Sequence, residues 1–260
     1  MKIKANGITF NCEIEGPEGA PWLVFSNSLA TNLSMWDPQA ADLGRSFHLL
    51  RYDQRGHGGT DAPVGRYAYA TLLADALALF DALGIARAHF CGLSMGGATA
   101  LGLAELHPDR VDRVVVCDSP AMSTSASAQQ WEERILAAQK GGMEALVEPT
   151  MARWFPPEIH AAKPAHLDRV RAMIRATPVN GFIGCSAALA DHDYNTAVAT
   201  VTRPVLFIAG SKDGVTPAAM KDMNARLKGS RYVELAGAGH ISNLDRPAEF
   251  TRAVREFLDA

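Results

Sequence analysis

The sequence predicts an α/β architecture: a mostly parallel sheet with helices on both faces and a helical cap inserted late in the chain. Three observations carry this. Short apolar and β-branched runs alternate with helix-period segments as far as Pro120. From Ser123 to about His192, helical periodicity persists while strand-like runs disappear, and at Pro204 the alternation resumes. Strand–helix alternation implies parallel strands joined by crossover helices, with both faces of the sheet covered. The chain accordingly divides into residues 1–120 as the first part of a core, 121–195 as the cap and 196–260 as the rest of the core.

An opening hairpin over Ile3 to Glu15, with turn signals at Asn6-Gly7, forms an antiparallel edge. Buried strands follow at Trp22 to Phe25, His48 to Tyr52, Ala88 to Cys91 and Val114 to Cys117, flanked by Gly, Pro, Asp and Asn. Leu72 to Leu83 has apolar residues at helical spacing, and Ala98 to Leu106 reads as a helix closed by His107-Pro108. In the cap, Gln129 to Gln139, Met143 to Trp154 and Leu167 to Ala176 read as helices. An insertion of about 70 residues is either a functional lid or disordered, and its tryptophans and periodicity favour an ordered lid. Beyond it come a strand at Pro204 to Ala209, a helix at Pro217 to Leu227, a strand at Arg231 to Leu235 and a closing helix at Pro247 to Leu258.

A chain of 260 residues can bury one full core. With 48% hydrophobic and 20% charged residues it lacks the composition of a disordered protein. A formal net charge of -3 argues against a nucleic-acid partner and leaves any anionic ligand to be held by local cations. Cys12, Cys91, Cys117 and Cys185 form no CxxC pair and no metal-ligand spacing, so reduced structural thiols and no metal are expected. No apolar run is long enough for a membrane span. Met1-Lys2-Ile3-Lys4 leads into polar alternation rather than a secretory apolar core, so the cytoplasm is the expected compartment.

The sharpest local signal is Gly92-Leu93-Ser94-Met95-Gly96 between a strand and a helix. A serine on a strained strand-to-helix turn leaves no room for neighbouring Cβ atoms, and the turn places the Met95 N–H at a helix N-terminus, where negative charge is favoured. Ser94 is thus the candidate nucleophile. A hydroxyl needs a base, and the base needs an orienting acid. Of eight histidines, His240 follows the last strand and lies downstream of every candidate acid. Asp213, in the turn after the Pro204 to Ala209 strand, and Asp118, after the Val114 to Cys117 strand, compete for the acid. An oxyanion hole needs a second N–H from the loop after an early strand, and loop order nominates Leu29 beside Met95.

Together these residues resemble the α/β-hydrolase family over nearly the whole chain. Asp53-Gln54-Arg55-Gly56-His57-Gly58 resembles the family's D-x-R-G-x-G loop, and Gly239-His240 its terminal histidine loop. Gly210-Ser211-Lys212-Asp213 resembles its G-x-x-D acid turn, which ranks Asp213 above Asp118. One departure is Asn27-Ser28, where many members carry His-Gly in the oxyanion loop. At finer grain the chain resembles the 3-oxoadipate enol-lactonases. The carrying segments are Phe25-Ser26-Asn27-Ser28-Leu29 with Leu33-Ser34-Met35-Trp36, Leu50-Arg51-Tyr52-Asp53, the serine turn, Arg153-Trp154-Phe155, Arg231-Tyr232-Val233-Glu234-Leu235 and Gly239-His240-Ile241-Ser242-Asn243.

That resemblance implies hydrolysis of a small anionic lactone in the β-ketoadipate pathway by Ser94, His240 and Asp213, without metal or organic cofactor. The substrate's carboxylate calls for a cation, since burying it unpaired is costly, and arginine suits bidentate capture. Arg134, Arg153 and Arg175 are the cap candidates, with Trp131 and Trp154 as apolar walls. A carboxylesterase, or a carbon–carbon bond hydrolase of ring-cleavage products, would fit the same serine turn. A non-catalytic ligand receptor on this fold is a remoter alternative.

Overall fold

The computed structural model describes residues 1–260. The chain opens with β1 (Lys2–Ala5) and β2 (Ile8–Glu15), antiparallel and joined by Asn6-Gly7, both at positive φ (43° and 77°). This is the backbone that a tight two-residue hairpin requires. β2 then runs antiparallel to β4 (His48–Tyr52). Every later pairing is parallel: β3 (Trp22–Ser26) with β4 and with β5 (Ala88–Leu93), β5 with β6 (Val111–Cys117), β6 with β7 (Val205–Gly210), and β7 with β8 (Arg231–Leu235). The sheet order is β1-β2-β4-β3-β5-β6-β7-β8.

The central strands are apolar on both faces, as parallel strands between helical layers must be. Leu23 to Phe25, Val114 to Cys117 and Phe207 to Ala209 are all fully buried. The covering helices are α1 (Asp37–Leu43), α2 (Tyr69–Ala82), α3 (Met95–Leu106) and, at the end of the chain, three more. A cap intervenes between β6 and β7. It comprises α4 (Ser125–Gly141), α5 (Val147–Trp154), α6 (Pro157–Ala162), α7 (His166–Ala176) and α8 (Val179–Asp191). The closing helices are α9 (Thr216–Arg226), α10 (Ser242–Asp245) and α11 (Pro247–Leu258). α3 packs on β3, β5 and β6, while α11 packs on β7, β8 and α1. A single antiparallel bridge, Met122 with Asp193, ties the two ends of the cap together where it leaves the core.

The elements read from the sequence are present, with informative differences. The expected helix from Met143 to Trp154 is two pieces, a 3-10 turn at Met143–Leu146 and then α5. Pro149 sits in the first turn of α5, where its missing N–H breaks no helical bond; one turn further into a continuous helix it would. α3 begins at Met95 rather than Ala98, directly on the serine turn. Helices α1, α6, α8 and α10 were not visible in the pattern. α8 contains Gly181 and Gly184 and is buried around most of its surface, so no amphipathic stripe marks it.

Gly181 has a packing reason. A Cβ there would overlap the carbonyl oxygen and Cα of Gly56 in the loop after β4, and a Cβ on Gly56 would strike Gly181 in return. Two glycine backbones thus bring the cap against the core. Alanine normally favours a helix over glycine by about 1 kcal/mol. Gly181→Ala should instead destabilise the protein by about 1–3 kcal/mol through overpacking, read as a lower urea midpoint at unchanged slope; a raised midpoint would show that the contact is soft.

Candidate active site

β5 is flanked by β3 and β6, and its carboxyl end runs straight into α3. At the join, Ser94 adopts φ 56°, ψ -111°, a conformation that costs of order 1–3 kcal/mol for a residue with a side chain. The surroundings over-determine it. The Ser94 N–H donates to the Cys117 carbonyl at 2.8 Å. A Cβ on Gly92 would overlap the Gly96 carbonyl, and one on Gly96 would overlap the Ser26 carbonyl at the end of β3. A Cβ on Gly97 would lie 2.6 Å from the Ser119 side chain. The glycines around Ser94 are therefore a condition of the turn's packing.

The turn lifts the Ser94 hydroxyl to 3.0 Å from His240 Nε2, and His240 Nδ1 stands 2.8 Å from Asp213 Oδ2. Three residues distant in sequence thus form one hydrogen-bonded chain. Asp118 does not join it. Its carboxylate accepts the Gly210 N–H at 2.7 Å and the Ser242 hydroxyl, bracing the turn after β7 and the start of α10. Complete burial, then the neighbouring Asp213 charge, push the Asp118 carboxyl far above the usual carboxylate range.

The loop after β3 is held by its own side chains and by the loop after β4. Asn27 Nδ2 donates to the carbonyls of Ser28 (2.8 Å) and Thr31 (3.2 Å), while its Oδ1 accepts the Gln54 N–H (3.0 Å). Gln54 returns a hydrogen bond to the Asn27 carbonyl at 2.6 Å. Ala30, at φ 57°, donates its N–H to His57 Nε2 at 2.9 Å, and His57 Nδ1 donates to the Arg55 carbonyl at 3.0 Å. Asp53 accepts the Leu33 N–H at 2.7 Å. Amid this network the Leu29 N–H has no intramolecular acceptor, and neither does the Met95 N–H at the start of α3. Two free donors are what an oxyanion needs. Asn27 in place of the His-Gly expected from many relatives supplies the bonds that keep the loop in shape.

These groups open onto one pocket of about 210 Å³, sized for a small molecule rather than a polymer. Leu29, Ser94, Asp213 and His240 form its core side, and Trp131, Arg134, Arg153 and Trp154 its cap side. Trp154 stacks on the His240 ring, with centroids 5.7 Å apart and planes at 27°. The Arg134 guanidinium lies 4.4 Å from the Trp131 ring centre. Arg134 and Arg153 make no ion pair with any acid. Burial lowers the Arg134 pKa. Arg153 is brought down to about 10 by desolvation and then by the Arg134 charge, with Asp213 opposing; it remains a cation at neutral pH. It is open to solvent at the pocket yet crowded by protein, which reconciles its accessibility with that shift. Arg175 is a correction: it is exposed, bound to Glu144, and borders no part of the pocket.

Residues 21–247 match the alpha/beta hydrolase fold family. The chain belongs to this family. It is 34% identical to 3-oxoadipate enol-lactonase 2 of Acinetobacter baylyi over 98% of this chain and 95% of that protein. The structure superposes on the crystal structure of the enol-lactonase from Burkholderia xenovorans LB400 with a TM-score of 0.96, 40% identity and full coverage of both chains. RutD of Pseudomonas savastanoi pv. phaseolicola, whose name carries a provisional carbamate hydrolase activity, is 29% identical over 93% of this chain and 95% of its own. The coarse functional class that follows is hydrolase.

Two features of the site leave little mark on local sequence pattern. His57, in the D-x-R-G-x-G loop, anchors the loop that carries Leu29. Beside Trp131 and Arg134, both expected at the pocket, Ser127 and Gln130 also face it from α4, so that the four fall at i, i+3, i+4 and i+7. That helical stripe was legible, but a polar stripe ordinarily marks a solvated face rather than a pocket wall. No helix is long and apolar enough to cross a membrane, and all four cysteines are buried and unpaired.

His57 is fully buried as the neutral tautomer, and burial lowers its pKa below the ordinary 6.5. His89 and His192 are lowered for the same reason. An unfolded chain takes up these protons more readily than the folded one, so stability is complete above the ordinary histidine pKa and falls as pH drops through it. Urea midpoints measured from pH 7.5 to pH 5 should decline, and His57→Gln should flatten the decline. An unchanged slope in the variant would show that His57 is not among the groups responsible.

Proposed function

We propose that the protein hydrolyses 3-oxoadipate enol-lactone to 3-oxoadipate, the ring-opening step of the β-ketoadipate pathway. The observation that carries this reading is the pair of cations without acid partners, Arg134 and Arg153, facing a Ser94–His240–Asp213 chain across one small pocket. A buried anion needs such partners, and the carbonyl carbon of a lactone is open to attack by such a serine. Likeness to enol-lactonases at 34% and 40% identity supports the same substrate class.

In this mechanism Ser94 Oγ attacks the lactone carbonyl carbon as its proton passes to His240 Nε2. Asp213 holds the imidazole by Nδ1 and stabilises the imidazolium. The carbonyl oxygen, now an oxyanion, lies against the Leu29 and Met95 N–H groups, the second reinforced by the N-terminus of α3. Collapse breaks the ring C–O bond. The departing oxygen is an enol, a better leaving group than an alkoxide, and it takes the proton from His240 before the enol becomes the ketone. Water then gives a proton to His240 and adds to the acyl carbon. The second tetrahedral intermediate expels Ser94 Oγ, which recovers that proton, and the product leaves as a dicarboxylate. Arg134 and Arg153 hold the carboxylate already present in the substrate, with Trp131 and Trp154 walling the ring. No step calls for a metal or organic cofactor.

Loss of lactone absorbance in the ultraviolet tests this directly. Ser94→Ala should abolish turnover. Arg134→Ala or Arg153→Ala should raise KM for the lactone by about tenfold or more, the weight of a charge-assisted pair of about 1.5–3 kcal/mol, while leaving hydrolysis of an uncharged aryl ester nearly unchanged. If the lactone survives the wild-type enzyme and the aryl ester does not, the serine chemistry stands and the substrate assignment falls.

A further inference from the structure

We infer that His166 and Asp245 are positioning residues for His240, through which the cap sets the geometry of the catalytic base; this rests on the reading of Ser94 and His240 given above. His240 is carried by the loop after β8, and its imidazole must lie between Asp213 and Ser94. Two consecutive peptide groups of that loop are held from outside. The His240 N–H donates to the Trp154 carbonyl, at the end of α5, at 2.7 Å. The Gly239 N–H donates to Asp245 Oδ2 at 2.8 Å.

The Asp245 side chain has no solvent exposure, and its other oxygen, Oδ1, accepts from His166 Nε2 at 3.1 Å. His166 is the first residue of α7, in the cap, and its ring packs on Phe155, one residue past α5, with centroids 5.6 Å apart. The loop, α10, α5 and α7 therefore meet at a single junction. Gly239 marks how tight it is: a Cβ there would overlap the Trp154 carbonyl and approach Pro156 Cδ to 2.8 Å.

The other charged links between cap and core differ in kind. Arg169 with Asp37 and Arg66 with Glu132 are half-exposed pairs remote from the His240 loop in the bonding network, and such pairs contribute little. The His166–Asp245 link is instead anchored on a buried carboxylate whose second oxygen holds the peptide next to the base. A displacement of the imidazole by about 1 Å is enough to cost on the order of a hundredfold in rate. The cap is thereby part of the catalytic scaffold as well as a cover for the pocket.

The test uses the full-length protein and two readouts that do not depend on the lactone: the second-order rate of Ser94 labelling by a fluorophosphonate, and kcat and KM for an uncharged aryl ester. His166→Ala should slow labelling and lower kcat by about 10- to 100-fold with KM nearly unchanged. His166→Gln, which can present an amide N–H to Asp245, should recover most of the loss. Arg169→Ala, which removes a different contact between cap and core, should leave both rates at wild-type values. If His166→Ala lowers only the Tm and labels at the wild-type rate, or if Gln fails to rescue a folded variant, the inference is overturned. A wild-type protein that does not label at all would overturn the serine mechanism and this inference with it, whereas normal labelling without lactone turnover would overturn only the substrate assignment.

Discussion

The active site depends on a place where three stretches of backbone meet with no Cβ between them. Gly92 at the end of β5, Gly96 in the first turn of α3 and the Ser26 carbonyl at the end of β3 are packed so closely that a methyl group at either glycine would have to occupy a carbonyl oxygen. That contact forces the chain to reverse within one residue, and the residue is Ser94. Its strained backbone is tolerated because the strand before it and the helix after it are both buried and cannot relax independently. The same reversal leaves the Met95 N–H unpaired at a helix N-terminus. The candidate nucleophile and one candidate oxyanion donor are thus consequences of one packing constraint.

The rest of the site is arranged around that fixed point by loops at the carboxyl ends of neighbouring strands, where ligands of open α/β sheets bind. β7 and β8 supply Asp213 and His240, and β3 supplies Leu29. Loops are ordinarily the mobile parts of a protein. Here each is tied by buried hydrogen bonds: Asn27 with Gln54, Ala30 with His57, Gly210 with Asp118, Gly239 with Asp245. Asp118 and Asp245 are buried acids that each hold a peptide N–H, of Gly210 at the end of β7 and of Gly239 beside His240. Polar groups that would be costly if left unsatisfied become, once paired, what keeps the loops rigid.

The cap adds charge to the pocket that the core alone does not supply. The core side of the pocket carries Asp213 paired with His240 and Asp118 bonded to Gly210 and Ser242, so neither carboxyl is left without a partner. The cap side carries two arginines with no acid partners. Their mutual repulsion and desolvation are unfavourable in the empty pocket, as the lowered Arg153 pKa records. Under the proposed function, the carboxylate of the substrate supplies the partner that both arginines lack.

Local order and chemistry along the chain were determined by the sequence itself. The alternation of strands and helices, the extent of the helical insertion and the Gly-x-Ser-x-Gly turn are properties of neighbouring residues, and periodicity and turn chemistry report those directly. The same holds for the hairpin at Asn6-Gly7 and for the positions of Ser94, Asp213 and His240, after β5, β7 and β8. What only the tertiary structure decided are relations between residues far apart. Asp213 and Asp118, ranked from the sequence only through the resemblance of the Gly210 to Asp213 turn, end adjacent strands. The structure shows their different side-chain partners, His240 for the first and Gly210 with Ser242 for the second. It set Arg134 and Arg153 at the pocket while pairing Arg175 with Glu144 away from it, although all three lie on cap helices. It concealed α8, whose Gly181 serves close approach to Gly56 and Gly184 to the Tyr67 ring, and whose burial on most sides erases the stripe by which a helix is recognised. Pairwise contacts across the fold leave no imprint on local pattern, and for that reason the chemistry was legible in the sequence and its exact company was not.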